Sequence, residues 1–291
     1  MPRDADELLD LLDLETIDDN LFRGSQQPSN LVRVFGGQVA AQALVAADRT
    51  VDDSYVVHSL HSYFLQPGDT KARIVYDVER LRDGRSFATR RVLARQHGRP
   101  IFALTADFHR PEPGRDHQDL MPEVPAPEDC IDPQALIRGR DGEFNEWDAV
   151  DFRYIGSSHD LLPPDPERPG RQRFWLKVAG QLPDGPPLLH TAAFTWLSDM
   201  TVMGAALAPH GLRLGGPHTL VASLDHTVWF HHPLRADEWL LYDQVSPVAS
   251  GARGLVTARV FSRDGVLVAS VAQEALLRPL DAPSEDSGED A

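Results

Sequence analysis

The chain has a single cysteine, Cys130, so no internal disulfide can form. Its surroundings are acidic and proline-rich, with nothing to lower the thiol pKa, and Cys130 reads as chemically inert. Positive charge is also scarce: 28 Lys and Arg stand against 44 Asp and Glu, a net charge of −16. Nucleic acid, whose phosphates demand a basic surface, is therefore not an expected partner. No run of about 18 uncharged apolar residues is present to span a bilayer, and acidic charge does not favour an anionic membrane surface. The opening stretch MPRDADELLDLLDLETIDD lacks the basic start and cleavage site of a secretory signal, which predicts a cytoplasmic protein.

Several motifs are missing too. There is no G-x-x-x-x-G-K-[ST] phosphate cradle, no G-x-G-x-x-G after a strand and no G-x-S-x-G elbow, so nucleotide-dependent and serine-hydrolase chemistries lose their usual markers. No cofactor is expected. Neither C-x-x-C nor H-E-x-x-H occurs. His58 and His61 fall on opposite faces of a predicted strand, and the adjacent His231 and His232 diverge likewise, so no metal site is expected either.

What is present is ordinary globular composition: 291 residues, 42% hydrophobic and 25% charged, enough for two packed domains. Leucines at 8, 9, 11, 12 and 14 predict a docking helix over Glu7–Leu14. The glycine pair Gly36-Gly37 introduces a second helix over Phe35–Ala47, whose small residues suit close wrapping by other elements. Val56–Leu65, Ala72–Leu81, Phe87–Gln96 and Pro100–His109 then read as strands of an antiparallel meander, separated by QPGD, RDGR and HGR turns. A Pro- and acid-rich stretch follows, after which the programme restarts with strands at Phe152–Gly156 and Arg173–Gly180, an apolar helix over Thr191–Leu207 and further strands. Tyr76-Asp77 and Pro67 recur as Tyr242-Asp243 and Pro233 at one spacing. Gly98 with Gly265, and Arg110-Pro111 with Arg278-Pro279, nearly keep it, which predicts internal duplication. The expected organisation is an N-terminal unit over 1–112, a linker over 113–146, a C-terminal unit over 147–280 and an unfolded acidic tail over 281–291. Each unit should be α+β, one helix wrapped by an antiparallel sheet.

Two residues conflict with that packing. Asp199 is the one charged side chain in the predicted helix Thr191–Leu207, and an unpartnered buried carboxylate costs several kcal/mol. Gln273, in LVASVAQEALL, alternates with Leu267, Ala269, Val271, Ala275 and Leu277, which turns an amide toward the apolar side. Each has a plain structural explanation: Asp199 on an exposed seam or capping an amide, Gln273 bonded to backbone. Together, a carboxylate and an amide can also hold one water, the first accepting its proton and the second fixing its orientation.

The runs VFGGQVAAQAL (34–44), VHSLHSYFLQPGD (57–69), VYDVERLRDGRSFATRRV (75–92), SLDHTVWFHHPLRADEWLLY (223–242), ARGLV (252–256) and DGVLVASVAQE (264–274) closely resemble the acyl-CoA thioesterase II family. The resemblance covers about Asp6 to Pro279. It implies a double hotdog fold, hydrolysis of acyl-CoA thioesters, and a water held by an Asp, a Thr or Ser, and a Gln. Carried onto this chain these are Asp199, Ser223 and Gln273. Ser223 rests on the resemblance alone, because alternation groups it with Val221, Asp225, Thr227 and Trp229, a face with no sign of burial. Serine keeps the hydroxyl but lacks the methyl by which threonine fixes its rotamer.

In the resulting scheme Asp199 is the general base and no acyl-enzyme forms. Apolar Trp196 and Met203, one turn to either side, would raise its pKa, and donors from Ser223 and Gln273 would oppose the rise. Gly36 and Gly37, opening a helix, are candidate oxyanion donors. Of the arginines crowding the third and fourth strands, Arg85 at the RDGR turn is the candidate contact for coenzyme A phosphate. A hydratase of the same fold would need an Asp and a His five apart, a spacing offered by Asp53 and His58. A non-catalytic acyl-thioester binder is the other alternative. The duplicated chain mimics a dimer of single hotdogs, and a homo-oligomer, dimer or tetramer, is expected.

Overall fold

The computed structural model describes residues 1–133, 147–156, 169–216 and 218–280. Part of the predicted linker, 134–146, and the predicted tail, 281–291, lie outside the described residues. Helix α1 (Ala5–Leu12) starts where the Asp4 side chain accepts the Glu7 N–H, and it buries Leu8, Leu11 and Leu12. Strands β1 (Glu15–Asp18) and β2 (Leu21–Gly24), which have no counterpart in the sequence reading, precede helix α2 (Gly36–Asp48). Every residue of α2 from Gly37 to Ala47 is buried. Small side chains let other elements approach on all sides, and the two polar exceptions are satisfied. Gln42 donates to Leu11 O at 2.7 Å and accepts from the Tyr76 hydroxyl at 2.7 Å, while Gln38 donates to the Gln26 side chain at 2.8 Å.

Strands β3 (Val56–Phe64), β4 (Ile74–Asp83), β5 (Phe87–Gln96) and β6 (Arg99–His109) follow, with the β5–β6 turn carried by His97 and Gly98 at φ 50° and 74°. They are not a simple meander. β4, β5 and β6 pair in sequence, but β3 lies beyond β6, and β2 pairs with the free side of β4. The segment 65–73 between β3 and β4 therefore crosses over instead of closing a hairpin, a choice that strand patterns do not encode.

The second half supplies β7 (Val150–Gly156), β8 (Arg171–Val178), α3 (Pro187–Ser198), α4 (Val202–Leu207), β9 (Thr219–Ser223), β10 (Asp225–Phe230), β11 (Leu240–Ser250), β12 (Arg253–Ser262) and β13 (Leu267–Pro279). All strands join one 13-stranded sheet in the order β1-β2-β4-β5-β6-β3-β10-β13-β12-β11-β8-β7, with β9 beside β13. Read outward from the β3–β10 seam, the two sides repeat the same connectivity, as duplication predicts. α2 and α3 pack on one another beneath this sheet, α1 contacts both, and one large apolar core runs through both halves. The architecture is a double hotdog.

The predicted helix Thr191–Leu207 is two helices. It begins earlier, with Pro187 in the first turn, where a missing N–H costs nothing, and it stops at Asp199 before restarting at Val202. The described part of the linker is not free of the domains. Gln118 hydrogen-bonds Gly265 O and Leu267 N, the Trp175 indole donates to Pro125 O at 3.0 Å, and Met121, Val124 and Cys130 cover Trp175, Leu241 and Phe261. Burial pushes the Cys130 thiol pKa up, as does the adjacent Asp129.

Candidate active site

Where α3 ends, its terminal residue does not continue the helix. Asp199 caps it with φ −83° and ψ −7°, and the residue is only 4% exposed. The break turns the carboxylate toward the start of α2. That approach is close: a Cβ on Gly36 would sit 2.6 Å from Asp199 Oδ2, and one on Gly37 would sit 2.3 Å from the Trp196 carbonyl oxygen. The glycine pair is thus required by contact between the two helices, and it places a helix N-terminus against the buried acid. The Phe35 ring fixes this corner, edge-on to Trp147 at 5.1 Å and Trp196 at 6.0 Å.

Burial raises the Asp199 pKa to about 7, against the Gln273 amide, the Gly37 N–H, the Ser223 hydroxyl and the charge of Arg33, which all favour the ionised form. Ser223 is the last residue of β9, and its Oγ lies 3.5 Å from Asp199 Oδ1 and 3.6 Å from Met203 Sδ. Alternation misjudged it because the strand ends there. Leu224 N–H bonds Glu274 O, the Asp225 carboxylate accepts the Glu274 N–H, and β10 starts afresh. Gln273, 1% exposed on β13, donates from Nε2 to Ser223 Oγ at 2.9 Å. Its face is the predicted one, shared with Ala269, Val271, Ala275 and Leu277. Leu267 departs from it, because the β12–β13 register shifts beside it. Asp199, Ser223 and Gln273 are therefore brought together, from a helix end and two paired strands.

Other candidates are placed differently. Arg85 is exposed on the β4–β5 turn, and no described hydrogen bond or ion pair links it to these three residues. The cation that faces Asp199 is Arg33, on the loop before α2, whose guanidinium reaches across to Val221 O at 2.7 Å. Asp53 is exposed in a turn, while the His58 ring lies 3.0 Å from Asp107 on β6. Among the described residues no group of three or more His, Cys, Asp or Glu side chains could hold a metal, and no helix is long and apolar enough to cross a membrane. Sequence reading missed Arg33, Ser198 and His226. The signal for His226 was its place two residues before Val228 on one strand face, where both prove fully buried.

The fold is a double hotdog, and the end of one central helix and two paired strands bring an acid, a hydroxyl and an amide together in it. Two family models cover most of the chain, the acyl-CoA thioesterase N-terminal domain over residues 26–109 and the C-terminal domain over 122–277. Human acyl-coenzyme A thioesterase 8 is 40% identical over 281 residues, covering 92% of this chain and 88% of that protein. Acyl-CoA thioesterase 2 of Haemophilus influenzae is 39% identical over 277 residues, covering 93% and 96%. The crystal structure of acyl-CoA thioesterase II TesB2 from Mycobacterium marinum superposes with a TM-score of 0.80 at 45% identity, covering 94% of this chain and 98% of that one. The chain belongs to the acyl-CoA thioesterase family.

Proposed function

We propose that the protein hydrolyses acyl-CoA thioesters to the free acid and coenzyme A, with Asp199 as general base toward a water that Ser223 and Gln273 orient. The observation that supports this most is geometric: Ser223 Oγ lies 3.5 Å from Asp199 Oδ1 and 2.9 Å from Gln273 Nε2, and burial, which raises the Asp199 pKa to about 7, makes the carboxylate basic enough to take a proton. The Ser223 hydroxyl accepts from Gln273 Nε2, which leaves its proton free to point toward the carboxylate or the water. Water attacks the thioester carbon, Asp199 takes its proton, the tetrahedral oxyanion collapses, and the thiolate leaves to be protonated. No bond to the protein forms.

The developing oxyanion is assigned to the positive end of the α2 dipole. Since the Gly37 N–H is directed at Asp199, the Gly36 N–H is the donor proposed for it. Arg85 remains the proposed phosphate contact, and an Arg85→Ala variant with unchanged, salt-insensitive KM would remove it. A dimer or tetramer is supported by exposed Tyr63, Leu65 and Trp229 along the central seam; a monomer in light scattering would rule it out. Thiol release from palmitoyl-CoA, followed with a chromogenic thiol reagent, tests the activity. No release across short, medium and long acyl chains would refute it.

A further inference from the structure

A second set of hydrogen bonds lies behind the cluster. His226, on β10, is fully buried. Its Nδ1 is 2.6 Å from Gln273 Oε1, and its Nε2 is 2.8 Å from the Oγ of Ser198, the residue immediately before Asp199. We propose that His226 is a positioning residue, whose ring fixes the direction of the Gln273 amide and so keeps that amide's NH2 turned toward Ser223 and Asp199. This rests on the reading of those three residues as the water site.

The argument is a count of protons. Gln273 Nε2 faces Ser223 Oγ and the Asp199 carboxylate, so Oε1 faces His226 and can only accept. Nδ1 must then carry hydrogen. Burial holds the imidazole neutral, with its pKa lowered to about 4, so Nε2 has no proton and accepts from the Ser198 hydroxyl, whose one proton is then no longer given to Thr195 O, 2.9 Å away. The groups facing the ring nitrogens, Ser198 from α3 and Gln273 from β13, are uncharged; Ser62 from β3 donates to the main-chain carbonyl of His226, and Arg33 is the charged side chain acting on Asp199.

One other arrangement is internally consistent. With hydrogen on Nε2, the ring would donate to Ser198 Oγ, which would pass its own proton to Thr195 O, 2.9 Å away. Nδ1 would then accept, the amide would turn over, and its carbonyl would meet the carboxylate of Asp199. An ionised Asp199 disfavours that arrangement by repulsion, and a protonated Asp199, able to donate, permits it. The histidine tautomer, the amide direction and the charge on the base are therefore linked through contiguous hydrogen bonds.

The test has two arms. Nitrogen-15 spectra of the imidazole in the wild-type protein at pH 8.5 should show the Nδ1–H tautomer, and an Nε2–H tautomer overturns the proposal. Kinetically, His226→Leu should lower kcat by about 10- to 100-fold, as expected for a misplaced catalytic group, with KM within about twofold. The acidic limb of kcat/KM should move to higher pH, because Asp199 loses a donor. His226→Asn, whose side-chain NH2 takes the place of Nδ1–H, should recover most of the rate and return the limb. Wild-type kcat with an unmoved limb in His226→Leu overturns the proposal, as does a loss that His226→Asn fails to recover. Should the leucine variant not fold, the spectra and the asparagine variant carry the test. Asp199→Asn, run in parallel, separates the two readings. An active Asp199→Asn removes the base itself; an inactive one beside a wild-type-like His226→Leu removes the relay alone.

Discussion

Replacing Asp199 with asparagine should do two opposite things, and the structure sets the size of each. Asp199 is 4% exposed and its pKa is displaced from 3.8 to about 7, burial being the main cause. Folding therefore favours the protonated form. Below pH 3.8 there is no penalty; it grows as pH climbs from about 4 toward 7 and is complete above that. At about 1.4 kcal/mol per pKa unit, the ionised group costs on the order of 4 kcal/mol at pH 8.5. Asparagine removes that cost at every pH but leaves the Gly37 N–H and the Gln273 amide with a weaker acceptor, an offset of about 1 kcal/mol. The variant should thus be more stable than wild type by roughly 2–3 kcal/mol at pH 8.5, which corresponds to about 5 °C or more in Tm for a chain of this size, and the gain should be much smaller at pH 4.5. Thiol release should meanwhile fall by about 10²- to 10⁴-fold, the range for loss of a general base. Thermal unfolding of both proteins at the two pH values, paired with the thiol assay, checks both statements. An equal Tm difference at both pH values would refute the burial argument, and a variant that still turns over would refute the role.

Further outcomes follow from the same geometry. The acidic limb of kcat/KM should fall near pH 7 and reflect Asp199, since His226 is held neutral down to about 4; a profile flat from pH 5.5 to 8.5 contradicts this. Ser223→Ala should lower kcat by about tenfold or more, whereas Ser223→Thr, keeping the hydroxyl and adding a rotamer-fixing methyl, should stay within a few-fold of wild type. In Gly37→Ala the new Cβ would fall 2.3 Å from a backbone oxygen of the facing helix, which cannot swing aside as a side chain can. That variant should lose about 1–3 kcal/mol of stability, measured by denaturant unfolding, together with most of its activity.

Much of this molecule was legible from residue order. β5 spans the predicted Phe87–Gln96, α2 is displaced by one residue from Phe35–Ala47, and the HGR turn adopts the left-handed angles that a tight hairpin requires. These succeed because hydrophobic period and turn chemistry are local properties. Asp199 and Gln273 were visible for a related reason, as polar groups where the pattern demands apolar ones. Ser223 was not visible on physical grounds, since its direction depends on where β9 ends, and that is set by hydrogen bonds to Glu274 on a strand some fifty residues away.

Periodicity and composition by themselves determined that the chain is two like halves, each a helix with an antiparallel sheet, and that two polar side chains, Asp199 and Gln273, stand where the pattern calls for apolar ones. Tertiary structure alone decided that β3 lies beside β6 and β10, that the apolar helix breaks at its one acid, and that Gly36 and Gly37 admit that acid to the start of the other helix. It also decided that His226 stands behind Gln273. The division has a physical cause. A side chain's preference for water or interior is carried by the residue and its near neighbours, whereas the partner of a buried carboxylate or amide is chosen by whichever distant backbone the packing brings within hydrogen-bond reach.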